Sequence, residues 1–353
     1  GTRMGSDLPK VLNLLGGKPL AQHLLDTVSC IKGSKVQLVV GHKPDLVKSS
    51  LDIDKKTAFV LQKKQLGTGH AVKQALKNLR SNSISLVLYG DGPLVKKQTL
   101  SKLISSAEKN NLSILTYKQK EPHGYGRVVR GRRGLVERIV EEREASSEEK
   151  KIEEVNSGIL AIKTKHLKEL VGRITNKNAA KEYYLTDIVE LANKAGIPVK
   201  ATTVSDHKQV LGVNSPQELH DLERLYQEDL ARQLISKGAR LADISRIDIR
   251  GDLVVGKGSF IDINAVFEGT NNLGKGVSIG PNCYIKNSTL GEGVKVFANT
   301  VIEDSVVGVG CALGPFSRIR GGTKMETGSE LGNFVEANRS HIGPASKAKH
   351  LTY

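Results

Sequence analysis

Residues 273–291 read LGKGVSIGPNCYIKNSTLG, and their apolar side chains keep a beat of six at Leu273, Ile279 and Ile285 before a step of five reaches Leu290. The beat continues outward in both directions. Val255, Ile261 and Phe267 precede it, and Val296, Ile302, Val307, Leu313, Ile319, Met325, Leu331, Ala337, Ile342 and Ala348 follow. Glycine often comes directly after the apolar residue, as at Gly256, Gly274, Gly280, Gly291, Gly308, Gly314, Gly332 and Gly343. A tight corner needs a residue without a Cβ there. A six-residue period fits neither a helix nor a flat sheet. It is the signature of a parallel β-helix, in which three short strands close one triangular coil. The periodicity still runs at Tyr353 with no polar cap in view, and a bare solenoid end exposes strand edges, so a partner or further chain is expected there.

Upstream, Ser215-Pro216-Gln217-Glu218 is a capping box with proline at the first helical position, and Leu219, Leu222, Tyr226, Leu230 and Leu234 form an apolar stripe that Gly238 ends. At 1.5 Å per residue, a helix of about 22 residues spans about 33 Å, long enough for a rigid strut. The expected organisation is a first domain over 1–214, a linker helix over 215–238 and a β-helix over 239–353.

Before the helix, apolar runs at Val36 to Val40, Phe59 to Gln62, Ile84 to Tyr89, Leu112 to Tyr117 and Gly158 to Ile162 read as buried strands, with helical segments such as His70 to Leu79 between them. That is an α/β sheet, which binds ligands beyond the carboxyl ends of its strands. Two loops stand there, Gly67-Thr68-Gly69-His70 and Tyr89-Gly90-Asp91-Gly92-Pro93. The acidic run Glu141 to Glu154 reads as a solvated helical flap, Glu141 at its edge being the exception.

The chain has 353 residues, 38% hydrophobic and 25% charged, which suits a soluble protein of two or three domains. No apolar run approaches the roughly 20 residues of a membrane span. Cys30, Cys283 and Cys311 are scattered without metal-ligand spacing, which predicts free thiols and a cytoplasmic address. The net charge of +16 lies entirely before residue 211, where 37 Lys+Arg face 21 Asp+Glu; after it the counts are 16 and 16. Such an excess predicts an anionic partner, nucleic acid or phosphorylated small molecules. Only 4% of residues are aromatic, which leaves little material for stacking bases and weighs against nucleic acid.

The opening Gly1-Thr2-Arg3-Met4, then Leu8-Pro9-Lys10-Val11-Leu12, Leu66-Gly67-Thr68-Gly69-His70, Tyr89-Gly90-Asp91, Gly124-Tyr125-Gly126-Arg127, Asn156-Ser157-Gly158-Ile159, Glu182-Tyr183-Tyr184-Leu185-Thr186-Asp187 and Gly212-Val213-Asn214 resemble, in order and spacing, one family. It is the bifunctional bacterial N-acetylglucosamine-1-phosphate uridylyltransferase and glucosamine-1-phosphate acetyltransferase. The resemblance covers essentially the whole chain. It implies a Rossmann-like nucleotidyltransferase domain followed by a left-handed parallel β-helix, a homotrimer, and substrates UTP and acetyl-CoA.

By the same resemblance, Arg3 and Lys10 contact phosphates as catalytic cations. Asp91 and Asn214 hold Mg²⁺, which keeps waters and substrate phosphates in its shell. Gln62, Gly67, Thr68, Tyr89 and Gly90 complete the nucleotide site, and Gly126, Glu141, Asn156, Tyr184 and Thr186 take the sugar phosphate. On the solenoid, His350 is the implied general base of acetyl transfer, Glu336 orients it, and Arg320 and Tyr353 bind a second sugar phosphate. Three positions depart from the family. Gly92 replaces a small apolar residue, Asn338 a phosphate-binding lysine, and Gly321 a proline. The resemblance also implies a first strand with a glycine-rich phosphate loop before Gly1 and further coils after Tyr353. A related sugar-1-phosphate nucleotidyltransferase and a catalytically silent scaffold are the alternative readings.

Overall fold

The computed structural model describes residues 4–5, 7–54, 57–131 and 134–352. Arg3 and Tyr353, both expected in sites, lie outside the described residues. The chain forms two compact units, one of residues 1–13 and 19–216, the other of 14–18 and 217–353.

In the second unit the six-residue beat becomes a parallel β-helix with three faces. Ile261, Ile279, Val296, Leu313, Leu331 and Ala348 succeed one another in register on the first face. Phe267, Ile285, Ile302, Ile319 and Ala337 stack on the second. Val255, Leu273, Leu290, Val307, Met325 and Ile342 form the third. Every apolar residue of the sequence pattern therefore points to one axis, and Ile279, Ile285, Ile302, Leu313 and Ile319 are fully buried. The five-residue steps all fall at one corner. There Asn287, Asp304 and Arg339 turn the chain with φ of 45°, 47° and 50°. The glycines have a different job from the one their spacing suggests. A Cβ on Gly291 would stand 2.8 Å from the carbonyl carbon of Gly308, so the close approach of the next coil, rather than the turn itself, excludes a side chain.

The helix forms over Pro216–Ser236, as its capping box predicts. It packs within the second unit instead of standing as a bare strut. Gln227, 2% exposed, bonds both ways with Ile249, Nε2 donating to its carbonyl and Oε1 accepting from its N–H at 2.8 Å. Ala231 and Leu234 join the solenoid core beside Ala239, Ile247 and Ile249. The helix thus covers the apolar end of the first coil, which a solenoid must shield from water.

The first unit is built on a six-stranded sheet. In spatial order it runs Val199–Thr203, Leu112–Lys118, Glu154–Lys163, Arg127–Arg130 and Val136–Val140, with Ile84–Val87 also paired to Glu154–Lys163. The outer strand Val199–Thr203 is parallel to Leu112–Lys118, while Glu154–Lys163 runs antiparallel to its neighbours, so the sheet is mixed. A separate parallel pair joins Gln37–Val40 to Ala58–Leu61. The ladder of Ile84–Val87 stops short of the expected Tyr89, releasing Leu88 to Asp91 as a loop. Residues 141–154 are not a helical flap. They form turns and the short 3₁₀ helix Glu149–Lys151 before Glu154 opens the long strand. Three of their carboxylates are claimed by arginines of the neighbouring hairpin, Glu142 by Arg127 at 2.7 Å, Glu149 by Arg138 at 2.5 Å and Glu154 by Arg130 at 2.7 Å. Arg127 is 1% exposed, and a buried guanidinium without its carboxylate costs several kcal/mol, so that pairing outweighs helix propensity.

Candidate active site

Lys10 opens the 3₁₀ turn Lys10–Leu12, whose register Pro9 fixes by accepting the N–H of Leu12 at 2.9 Å. From that turn its ammonium reaches the carboxylate of Asp91, 81 residues away, in a short ion pair. It also donates to Oδ1 of Asn214 at 3.0 Å, 204 residues away. Asp91 sits on the loop that the end of Ile84–Val87 releases, and its carbonyl accepts the Val213 N–H at 2.9 Å, which brings Asn214 alongside. Two hard oxygens from distant segments thus converge on one cation.

The nucleotide-loop residues cluster around the helix Thr68–Ala75. Gln62 Nε2 donates to the Gly67 carbonyl at 3.2 Å and to His70 Nδ1 at 3.0 Å. Gly67 has φ 109°, and a Cβ there would stand 2.6 Å from the Tyr183 carbonyl oxygen. Its openness is therefore taken by protein backbone. The loop is laced to residues 183–185: Tyr183 N–H donates to Leu66 at 2.8 Å, Gly69 N–H to Tyr183 at 2.8 Å, and Leu185 N–H to Thr68 Oγ1 at 3.0 Å. Burial pushes the Tyr89 hydroxyl up to about 12, Thr68 opposing this and Glu141 and Asp91 adding to it. The tyrosine stays neutral and available as a donor.

The five expected sugar-phosphate residues also come together. Thr186 Oγ1 donates to Glu141 at 2.9 Å, Asn156 N–H donates to the Gly126 carbonyl at 2.9 Å, and a Cβ on Gly126 would lie 3.6 Å from Glu141 Oε2. Burial raises the Tyr184 phenol, with Glu141 contributing. Burial also raises Glu141 itself, against the Thr186 bond. The neighbouring Asp187 was not anticipated. Burial, then the charges of Glu144, Glu141 and Glu190, push it up to about 6. A carboxyl raised in the folded state holds its proton more tightly there, so its contribution to stability is present below about pH 4 and lost as pH rises through about 6. Asp187→Asn is accordingly expected to stabilise the first unit by about 1 kcal/mol at pH 7, after allowing for solvent screening, and not at pH 4. Urea midpoints at the two pH values check this.

On the solenoid the expected acetyl site is only partly assembled. Glu336 accepts from Arg320 Nε at 2.7 Å and Nη2 at 2.6 Å, so its carboxylate is engaged on the second face. It shares no hydrogen bond with His350 among the described residues. His350 lies exposed on the first face, opposite Asn333, while the Glu336 carboxylate is held by Arg320. Asn338 stands in register with Arg320, and Gly321 has φ 65°, a conformation closed to the proline expected there by resemblance.

A hollow of about 240 Å³ opens behind the nucleotide loop, lined by Leu66, His70, Lys73, Gln74, Ile174 and Tyr183 among others. Neither Lys10 nor Asp91 contributes to it. No group of three or more His, Cys, Asp or Glu that could hold a metal occurs among the described residues. No helix among them is long and apolar enough to cross a membrane.

Residues 1–240 match the MobA-like NTP transferase domain family, and residues 249–350 match the GMPPB C-terminal domain. The chain is 46% identical over 353 residues to the bifunctional protein GlmU of Marinobacter nauticus, covering all of this chain and 78% of that protein. It is 44% identical, with the same coverage, to the bifunctional protein GlmU of Burkholderia vietnamiensis. The acetyltransferase part of those relatives lies partly beyond this chain.

Proposed function

Since the chain belongs to the GlmU family of nucleotidyltransferases, we propose that it transfers UMP from UTP to N-acetylglucosamine 1-phosphate. A phosphate oxygen of the sugar attacks the α-phosphorus of UTP, the bond to the β-phosphate oxygen breaks, and UDP-N-acetylglucosamine and pyrophosphate form. The observation that carries this reading is the convergence of Asp91 and Asn214 on the Lys10 ammonium. Phosphoryl and nucleotidyl transfer depend on positioning and on neutralising charge that spreads over the phosphate oxygens.

The donor set fits Mg²⁺. One carboxylate and one amide oxygen are too few for an all-protein cage, and they suit an ion that completes its shell with water and substrate phosphates. Asp91 and Asn214 would hold it, and bound there it would supply positive charge to the nucleotide phosphates. Lys10 then exchanges its contact with Asp91 for a phosphate oxygen, delivering a mobile cation to the departing pyrophosphate, and Arg3 supplies a planar donor fork. Gln62 and the Gly67-Thr68 backbone face the base, with Tyr89 and Gly90 flanking it. Glu141, Asn156, Tyr184 and Thr186 offer acceptors and donors to the sugar, and a site built to bond each polar group rejects a sugar lacking one. A cytoplasmic homotrimer joined through the β-helix belongs to the same proposal, as does acetyl transfer from acetyl-CoA by His350 in a chain with further coils.

The test is pyrophosphate release from UTP with Mg²⁺ and either N-acetylglucosamine 1-phosphate or glucose 1-phosphate, using the full-length chain. Faster release with the amino sugar is expected. Equal or preferred use of glucose 1-phosphate would replace the substrate assignment, and release with neither would end it.

A further inference from the structure

We propose that His70 is a positioning residue that, together with the Gly67 carbonyl, holds the orientation of the Gln62 amide and thereby the choice of uracil over cytosine. The inference rests on the proposal that Gln62 faces the base. The His70 ring lies between two glutamine amides, with Nδ1 3.0 Å from Gln62 Nε2 and Nε2 3.1 Å from Gln74 Nε2. A neutral imidazole carries one N–H and one lone pair, so its two nitrogens cannot both accept. One amide must present its oxygen.

The second bonds of the two glutamines decide which. Gln62 Nε2 also donates to the Gly67 carbonyl at 3.2 Å, a group that turning the amide would leave facing another oxygen. The Gln74 amide has a 3.3 Å bond to the His70 carbonyl and is less buried than Gln62, so on turning it can exchange that bond for water, which the buried Gln62 amide cannot. Gln74 is therefore the amide that turns. His70 carries its proton on Nε2 and donates it to the Gln74 oxygen, leaving Nδ1 bare to hold the Gln62 NH₂. The Tyr183 ring, tilted by 35° at 6.3 Å, packs beside the imidazole.

Gln62 is 8% exposed, and with its NH₂ doubly engaged its Oε1 accepts no hydrogen bond among the described residues. That oxygen is a committed acceptor. The N3–H of uracil is the donor it suits, whereas the N3 of cytosine presents a lone pair at the same position. A buried carbonyl facing a lone pair loses its bond and meets repulsion, which is the stronger half of discrimination. Were the amide free to turn, it would satisfy either base.

The test is a double-mutant cycle on the full-length chain with UTP and CTP. His70→Ala is expected to raise the KM for UTP about three- to tenfold with kcat little changed, and to narrow the preference for UTP over CTP by a similar factor. His70→Asn, whose Oδ1 can accept from Gln62, is expected to restore most of both. Introducing His70→Ala into Gln62→Ala should change neither quantity further, because the two act as one unit. ¹⁵N spectra of the imidazoles, with His70 assigned by its loss in His70→Ala, should show Nδ1 bare and Nε2 protonated. If Gln62→Ala raises KM but His70→Ala adds its own full effect, or if Nδ1 carries the proton, the positioning role is overturned while base reading stands. If Gln62→Ala leaves the KM for UTP and the selectivity unchanged, the base-reading proposal fails instead, and this inference with it.

Discussion

Asp91→Asn is expected to reduce pyrophosphate release from UTP by about 10²- to 10³-fold or more, the scale on which one misplaced electrostatic contact acts in a catalytic site. Asp91 supplies the carboxylate that, with Asn214 Oδ1, holds the Lys10 ammonium, and its carbonyl also holds the Val213 N–H. The substitution preserves shape and the backbone bond while removing the charge. The fold should therefore persist, with an unchanged far-UV spectrum. The amide still offers one oxygen, so excess Mg²⁺ should recover only a small part of the rate. Wild-type turnover at saturating Mg²⁺ would remove Asp91 from the site.

The largest effect on stability is expected from Ile302→Asp in the second unit. Ile302 is fully buried between Ile285 and Ile319 on one face of the solenoid. Removing its side chain forfeits about 2 kcal/mol of burial, and an unpaired carboxylate there adds several more. Whole-domain stability is about 5–15 kcal/mol, so the loss is comparable to the total. In a solenoid each coil leans on its neighbours, and the defect should spread to adjacent coils. Hydrogen exchange read coil by coil is expected to show protection lost around residues 279–325 before it is lost beneath the helix Pro216–Ser236. Undiminished protection at Ile285 and Ile319 would contradict the stacking described.

The solenoid was legible because its period is strict and every register partner repeats it. Leu273, Ile279 and Ile285 fix three faces, and each later apolar residue falls on one of them. The reason for the glycines was not legible, since the backbone that meets Gly291 belongs to a coil 17 residues on. The helix at Pro216–Ser236 was visible in its cap and stripe, but its burial against the first coil depends on Ile247 and Ile249, which the helix pattern does not contain. Residues 141–154 misled for a similar reason. Glu142, Glu149 and Glu154 look solvated until Arg127, Arg138 and Arg130 are seen beside them, while Glu144, Glu148 and Glu153 are exposed as expected.

The site was readable only through the family resemblance. Lys10, Asp91 and Asn214 are single polar residues in separate segments, and no local pattern marks them as partners. Their convergence is a property of the sheet and the loops at its edge. The raised carboxyl of Asp187 and the contact of His70 with Gln62 were not legible because each depends on neighbours brought in from elsewhere, Glu141 and Glu144 for one and Gln62 for the other. The only available signal was that both lie inside motifs already singled out, Leu66 to His70 and Glu182 to Asp187. On the solenoid the resemblance reached further than the geometry, since Glu336 is paired with Arg320 and not with His350.

The proposed role of Asp91 and Asn214 is to hold a divalent ion against the phosphates of a uridine nucleotide. Electron paramagnetic resonance of free Mn²⁺, titrated with the full-length chain in the presence of UTP, measures this directly. Stoichiometric loss of the free-ion signal is predicted for the wild type, with weak loss for Asp91→Asn. Equal Mn²⁺ uptake by the two chains would contradict it.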